Sequence, residues 1–423
     1  MAGNSNVGDT PQIQIRLITK QTQYAVPDYP LSVPTTIIPD ELNILVNELL
    51  KDAIKDGKGI EFDFLVCSEF LRTSLCEHVT ERGVSTEDVI DVEYLEKHPP
   101  PEPQDCLIHD DWVAAVAVCE KWILTGCYDN TVHIWTSKGK HKLTIPGHSA
   151  PIKSVKWISL DPETGTFVSA SQDQTAIIWS WNIARNSVDC IHVCRGHEQS
   201  LESVGVNPND RIMATGSWDA MLKIWSTATE DETEDGESMS KRMKTDRGRT
   251  RTPKRTMKGH KEAISGVVWS DKSELITSSW DHTLKIWDSE LGGIKHEIPG
   301  NKSFFDIDYS QLSRSVITAS ADRHIRLYDP RSSEGSMVKS TFTSHTQWVQ
   351  AVHWSTTDSN LFISGAYDNA LKLWDTRSPR APLYELTGHE DKVLSCNWSN
   401  PKLMVSGGAD NTVRIYKSSH AIH

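Results

Sequence analysis

One turn recurs seven times in this chain, and it constrains the fold more than any other feature. Each copy ends in an Asp with an aromatic residue six positions later: Asp129 with Trp135, Asp173 with Trp179, Asp219 with Trp225, Asp281 with Trp287, Asp322 with Tyr328, Asp368 with Trp374, and Asp410 with Tyr416. Four positions before each Asp stands a hydroxyl residue, namely Thr125, Ser169, Thr215, Thr277, Thr318, Ser364 or Ser406. Further ahead of each Asp lies a His, usually after Gly: His109, His148, His197, His260, His345 and His389, with Asn301 in the fifth copy. Apolar residues alternate between His and hydroxyl, as in Ile152-Lys153-Ser154-Val155-Lys156-Trp157, and again after the Asp, as in Thr283-Leu284-Lys285-Ile286-Trp287. A period of two places apolar side chains on one face of an extended strand, so each copy is a unit of strands.

A His, a hydroxyl and an Asp recurring together are the parts of a hydrolytic triad, in which the base activates the hydroxyl. Repetition argues against that use. A reactive constellation is needed once, whereas a strut is needed in every unit. In units such as His148, Ser169, Asp173 and Trp179, or His260, Thr277, Asp281 and Trp287, the imidazole, hydroxyl, carboxylate and indole N–H can satisfy one another and leave few buried polar groups unpaired. The expectation is a non-enzyme with no catalytic residues and no cofactor or metal of its own. The fifth unit, with Asn301 in place of the imidazole, is expected to be the least rigid.

These offsets resemble the WD repeat, whose four-stranded sheets form propeller blades with a period near 40 to 45 residues. The resemblance implies an all-β seven-bladed propeller over residues 105–423. The outermost strand of each blade then precedes the next Gly-His, so Lys142–Ile145 belongs to the first blade. The seventh blade has no such strand after Tyr416, and Asp105–Ile108 has no earlier blade; pairing the two closes the ring and removes two exposed sheet edges. The residue before the turn Asp is large in four blades (Tyr128, Trp218, Trp280 and Tyr367), and Trp112 and Trp348 follow the His-bearing loops. Aromatics gathered on one rim are the material of interface hot spots, so the Asp-turn face is the expected partner surface.

Residues 12–97 contain none of the repeat. Ile13, Ile15 and Leu17 alternate, a second extended run covers Tyr24 to Val33, and Pro39-Asp40-Glu41 opens a helix carrying Leu42, Leu45, Val46, Leu49 and Leu50. Strands follow at Phe62–Val66, in a hairpin-like Phe70–Leu75, and at Val89–Tyr94. This order, two extended runs, a helix and then strands again, resembles ubiquitin and implies an α+β ubiquitin-like (β-grasp) domain. It runs into Lys97-His98-Pro99-Pro100-Pro101 rather than a diglycine, so it suits docking and not conjugation. Residues 1–11 are expected to be a disordered tail, and the proline-rich 98–104 a stiff linker.

The turn Asp residues are evenly spaced except between Asp219 and Asp281, where residues 229–255 are inserted. The insert begins acidic and becomes basic (Lys241, Arg242, Lys244, Arg247, Arg249, Arg251, Lys254, Arg255), with no periodic apolar residues. Disorder is expected, leaving from the face opposite the Asp turns, and short Lys/Arg-rich segments suit nuclear import. Here Lys241, Arg242, Lys244, Arg249, Arg251, Lys254 and Arg255 are the import candidates.

Whole-chain composition limits the partners. With 44 Lys and Arg against 57 Asp and Glu the formal charge is -13, so the chain as a whole is poorly suited to neutralising a phosphate backbone. The first residues are polar and no apolar run approaches a membrane span, which points to a soluble intracellular protein. The 8 cysteines are scattered without a CxxC pair, so free thiols are expected. Cys190, His192 and Cys194 share a strand face but lack a second ligand pair.

The ubiquitin-like domain, proline linker, seven repeats and insert together resemble the WD-repeat subunit of the PeBoW complex of ribosome assembly, the Ytm family. Phe62-Asp63-Phe64-Leu65, Phe70-Leu71-Arg72, Asp110-Asp111-Trp112, Asp322-Arg323-His324-Ile325-Arg326-Leu327 and Gly388-His389-Glu390-Asp391-Lys392-Val393-Leu394-Ser395 carry the likeness. The N-terminal domain is similar to that of Notchless, which has an eighth blade. The resemblance implies a scaffold of the nucleus, nucleolus and nucleoplasm, needed for maturation of large-subunit rRNA. Its partners would be pescadillo, the block-of-proliferation WD-repeat protein and pre-60S ribosomal particles, with release by the AAA ATPase midasin. It also implies that Glu87 offers a carboxylate to a Mg²⁺ ion held by midasin, with Asp88 beside it as the alternative ligand. A Notchless-type assembly factor and a propeller substrate receptor of a ubiquitin ligase are the competing classes.

Overall fold

The computed structural model describes residues 11–51, 59–83, 88–228, 250–332 and 338–418. The chain divides into two compact units, one running to Pro99 and including Arg377–Ala381, the other made of Pro100–Thr376 and the residues from Pro382 onward.

In the N-terminal unit, β1 (Gln12–Ile18), β2 (Leu31–Pro34), β3 (Phe62–Val66), β4 (Glu69–Phe70) and β5 (Ile90–Glu96) form one sheet in the order β2-β1-β5-β3-β4. The central pair, β1 and β5, is parallel. Helix α1 (Pro39–Leu50) buries Leu42, Val46 and Leu50, a 3.6-period stripe, against Ile13, Ile15 and Leu17 of β1. This is the β-grasp arrangement.

Three details differ from the sequence reading. The run Tyr24–Val33 is a strand only at Leu31–Pro34, with a 3-10 turn at Thr22–Tyr24, because Pro27 and Pro30 supply no ladder donors. The Phe70–Leu75 segment is not a strand throughout. After β4 the chain enters α2 (Leu75–Glu81), where Ser74 Oγ accepts from Glu77 N and the Glu77 carboxylate accepts from Ser74 N, a reciprocal cap. Between β3 and β4 the two-residue turn holds Cys67 and Ser68 at φ 53° and 61°, as a tight hairpin turn requires. The 98–104 linker is also shorter than expected, since β6 (Glu102–Ile108) begins inside it. Pro103 is tolerated there because β6 is an edge strand.

The second unit is a ring of seven sheets among the described residues. Blade one consists of β7 (Val113–Cys119), β8 (Trp122–Cys127), β9 (Val132–Thr136) and β10 (His141–Ile145), from the innermost strand outward. The innermost strands pack each against the next, and Val393–Asn400 of blade seven packs against β7. Strand β6 pairs antiparallel with Thr412–Lys417 and supplies the fourth strand of blade seven. The second strand of each blade, such as β8 or Leu403–Gly408, is buried along almost its whole length, because neighbouring blades cover both faces.

Polar side chains stitch the inner seams. Val204 N donates to Ser154 Oγ (3.4 Å), Val267 N to Ser203 Oγ (3.1 Å), Val352 N to Asp306 (3.1 Å), Trp354 N to Asp308 (2.7 Å) and, across the closure, Val118 N to Asn397 (3.3 Å).

The insert is the other correction. Residues 229–249, with Lys241, Arg242, Lys244 and Arg249, lie outside the described residues. Residues 250–255 do not continue the expected disorder. Thr250–Arg251 pairs parallel with the outer strand of blade two, and Arg255–Lys258 is the outer strand of blade three. Arg251 Nη1 donates to Ser226 O (2.7 Å) and its Nη2 to His192 Nε2 (2.8 Å); Arg255 Nη1 donates to Ser289 O (2.8 Å). Arg251 and Arg255 therefore hold backbone, and replacing them would disturb the fold. Lys254 N donates to Ile224 O (2.7 Å).

Candidate interaction surface and its supports

Each blade presents its turn through the Asp. The residue after it adopts a left-handed conformation in all seven blades: Asn130, Gln174, Ala220, His282, Arg323, Asn369 and Asn411 lie at φ 60° to 70°. That conformation costs an L-residue about 1 kcal/mol or more. It is offset because the Asp Oδ1 accepts the N–H two residues on, at Thr131, Thr175, Met221, Thr283, His324, Ala370 and Thr412. The first task of the Asp is its own turn.

The second task is met in five blades. His148 Nδ1 donates to Asp173 (2.8 Å), Ser169 hydroxyl donates to His148 Nε2 (2.8 Å), and Trp179 Nε1 donates to Ser169 Oγ (2.8 Å). His197, Thr215, Asp219 and Trp225 repeat this, as do His260, Thr277, Asp281 and Trp287, and His345, Ser364, Asp368 and Trp374. In blade seven His389 joins Asp410 to Ser406. Burial works against the Asp173 carboxylate, yet the bonds from His148 and Thr175 outweigh it and hold its pKa down at about 2. The geometry is that of a hydrolytic triad, but the hydroxyl is fully buried and already accepts the indole N–H, so no substrate carbonyl can reach it.

Blade five replaces the imidazole differently from the sequence reading. Asn301 is exposed, and Arg326 supplies the donor to Asp322. Blade one departs too, which the shared spacing concealed. His109 Nε2 pairs with Thr125 Oγ1 (2.9 Å), but Asp129 faces Thr131 and His133 instead of His109.

Trp112 is 42%, Trp218 39% and Trp348 50% exposed, despite their size. They occur in pairs: Trp112 with Tyr128 at 5.3 Å between ring centroids, Trp218 with Trp280 at 5.3 Å, and Trp348 with Tyr367 at 5.7 Å and Phe305 at 5.6 Å. Backbone bonds set two of the pairs, from Tyr128 N to Trp112 O and from Tyr367 N to Trp348 O (both 2.9 Å). Charges sit among the rings. Lys153 bridges Tyr128 OH (3.2 Å) and Glu202 (3.0 Å), Trp218 Nε1 donates to Glu202 (3.0 Å), and Lys392 lies 5.0 Å from the Tyr367 centroid. Burial tends to discharge Lys153, but Glu202 and Tyr128 raise its pKa and keep it protonated. Trp112, Tyr128, Lys153, Glu202, Phe305 and Tyr367 line a cavity of about 170 Å³. Rigid amphipathic rings around paired charges offer apolar area and directional bonds together, which suits a folded macromolecular partner.

Glu87 lies outside the described residues, and neighbouring Asp88 is exposed. Cys194 is buried in the core of blade two and His192 is engaged by Arg251. Among the described residues no helix is long and apolar enough to cross a membrane.

The fold and the site define a WD-repeat propeller with an N-terminal β-grasp domain, and comparison agrees. Residues 103–136, 139–180, 188–226, 251–288, 292–329, 336–375 and 380–417 match the family described as WD domain, G-beta repeat; residues 13–79 match the NLE (NUC135) domain. The chain is 60% identical over 413 residues to the ribosome biogenesis protein WDR12 homolog of Culex quinquefasciatus, covering 97% of this chain and 96% of the relative. It is 58% identical over 412 residues to that of Aedes aegypti and 58% over 410 residues to that of Drosophila virilis, each with 97% and 96% coverage. The chain belongs to the WDR12 (Ytm) family.

Proposed function

We propose that this chain is a non-enzymatic scaffold of ribosome biogenesis that joins assembly factors through the Asp-turn face of its propeller. The observation that carries the reading is the set of exposed aromatic pairs on that face, each fixed by turns whose carboxylates are engaged in structure rather than chemistry. The near full-length likeness to proteins named for ribosome biogenesis supplies the process.

In its finer form the scaffold is the WD-repeat member of the PeBoW complex on pre-60S particles in the nucleolus and nucleoplasm. Pescadillo and the block-of-proliferation protein are its partners there. The β-grasp domain is the handle for midasin, with Glu87 completing the shell of a Mg²⁺ that midasin holds.

A paired Trp112→Ala, Trp348→Ala variant tests the surface. Two hot-spot residues lost should weaken capture of pescadillo and the block-of-proliferation protein by about tenfold or more, at unchanged melting temperature. Full recovery of both partners and of pre-ribosomes by the folded variant would remove the reading.

A further inference from the structure

Blade one carries side chains that no other blade carries. At the position two before the turn Asp, where blades two to five have Ser171, Ser217, Ser279 and Ser320, blade one has Cys127. At the position four after the Asp, where blades three to seven have Lys223, Lys285, Arg326, Lys372 and Arg414, it has His133. Both face His109, whose buried Nδ1 makes no hydrogen bond of normal geometry among the described residues; Asp129 accepts from Thr131 N and Oγ1 (2.8 Å each) and stands 3.4 Å from His133 Nε2. Trp135 Nε1 is likewise buried without a hydrogen-bond partner among the described residues. A ring nitrogen of His109, Cys127 Sγ and a ring nitrogen of His133 all lie within 4.8 Å of one another, and all three residues are buried.

We propose that His109, Cys127 and His133 form a binding site for one zinc-class divalent ion. Two imidazoles and a thiolate are the donor set that borderline-soft, tetrahedral ions prefer. Metal bonds of roughly 2.0 Å to N and 2.3 Å to S place ligand atoms about 3.5 Å apart, within reach of small side-chain rotations from the present spacing. Binding breaks the Cys127 S–H bond, forms the S–metal bond and releases one proton to solvent. Burial lowers the pKa of both imidazoles, His109 to about 4, so each offers a lone pair near neutral pH. The fourth position falls to water or to the Asp129 carboxylate.

The ion would do what the strut does elsewhere. His109 directly follows β6, the strand that closes the ring, while Cys127 ends β8 and His133 lies in β9. An ion held by all three ties the closing segment to blade one.

The test uses the full chain without a histidine tag, stripped of metal and titrated with Co²⁺. Wild type should take up one equivalent, with tetrahedral visible bands and a thiolate-to-cobalt charge-transfer band, and Zn²⁺ should displace it and raise the melting temperature. Cys127→Ser and His133→Lys install the residues that other blades use, so the fold should survive; each should lose that equivalent, and Cys127→Ser the charge-transfer band. A wild type that binds no Co²⁺ overturns the proposal. So does uptake unchanged in both variants, or uptake lost instead in a Cys190→Ser, Cys194→Ser chain.

Discussion

Blades four and one share the same sequence skeleton, a His, a hydroxyl, a turn Asp and a Trp at matching offsets, and they are held together differently. In blade four the chain of bonds is complete: Asp281 to His260, His260 to Thr277, Thr277 to Trp287. In blade one it stops after His109 and Thr125, and Trp135 Nε1 finds no hydrogen-bond partner among the described residues. The turn itself is unaffected, since Asp129 still accepts from Thr131 N. A WD unit therefore contains two separable devices, a turn made by every Asp and a strut that also needs every neighbour in place.

The largest effect should come from removing the shared Asp. In blade four Asp281 accepts from His260 Nδ1, Lys261 N, Thr283 N and Thr283 Oγ1. Asp281→Ala strands these four donors, the buried His260 imidazole among them, and should cost about 3 kcal/mol or more. Asp129→Ala strands mainly the two bonds from Thr131, and about 1 kcal/mol is expected. Thermal melting of the two variants in parallel should rank them clearly, and equal melting points would erase the distinction between strutted and unstrutted blades.

Acid should find the strutted blades next. The Asp173 pKa, held down at about 2 in the fold against an ordinary value of 3.8, contributes stability that is fully present above the carboxylate range. That share, about 2 kcal/mol, is lost as pH falls from about 4 through about 2. Asp219, Asp281, Asp368 and Asp410 are also lowered, each with its His as the main favourable cause acting against burial. Asp173→Asn should flatten the acid side of a melting-temperature profile. An unchanged acid limb would show that this carboxylate gains nothing from its imidazole.

The smallest effect isolates a single bond. Trp287→Phe removes the indole donor to Thr277 and should cost about 1 kcal/mol. Trp135→Phe removes an N–H that has no hydrogen-bond partner among the described residues and should cost less than about 0.5 kcal/mol. Equal losses in denaturant midpoints would mean the cost is ring volume alone.

Much of the fold was legible because its signals are local. Alternation marked the blade strands, and the surplus Asp105–Ile108 segment at one end matched a missing strand at the other. Helix α2 was legible but missed: Ser74 and Glu77 at capping spacing ahead of Val79 were the signal. The hairpin at Cys67 and Ser68 carried no Gly or Asn to mark its left-handed turn, and the ordering of Thr250–Arg251 could not be seen in a charged run. Arg251 is fixed by Ser226 and His192, which are far from it in sequence.

For the candidate site, the sequence alone determined the inventory: seven turns, their Asp residues, and the aromatics set beside them. It could do so because a turn is decided within a few residues, by one carboxylate accepting one nearby N–H. Which of those Asp residues also hold a histidine was decided only in the tertiary structure. A buried carboxylate has few lone pairs and the donors compete for them across strands. His133 and Arg326 reach Asp129 and Asp322 from an adjacent strand, whereas in blade four Lys285 leaves Asp281 to His260 and pairs with Glu297. Spacing records which groups are present; only packing settles which of them meet.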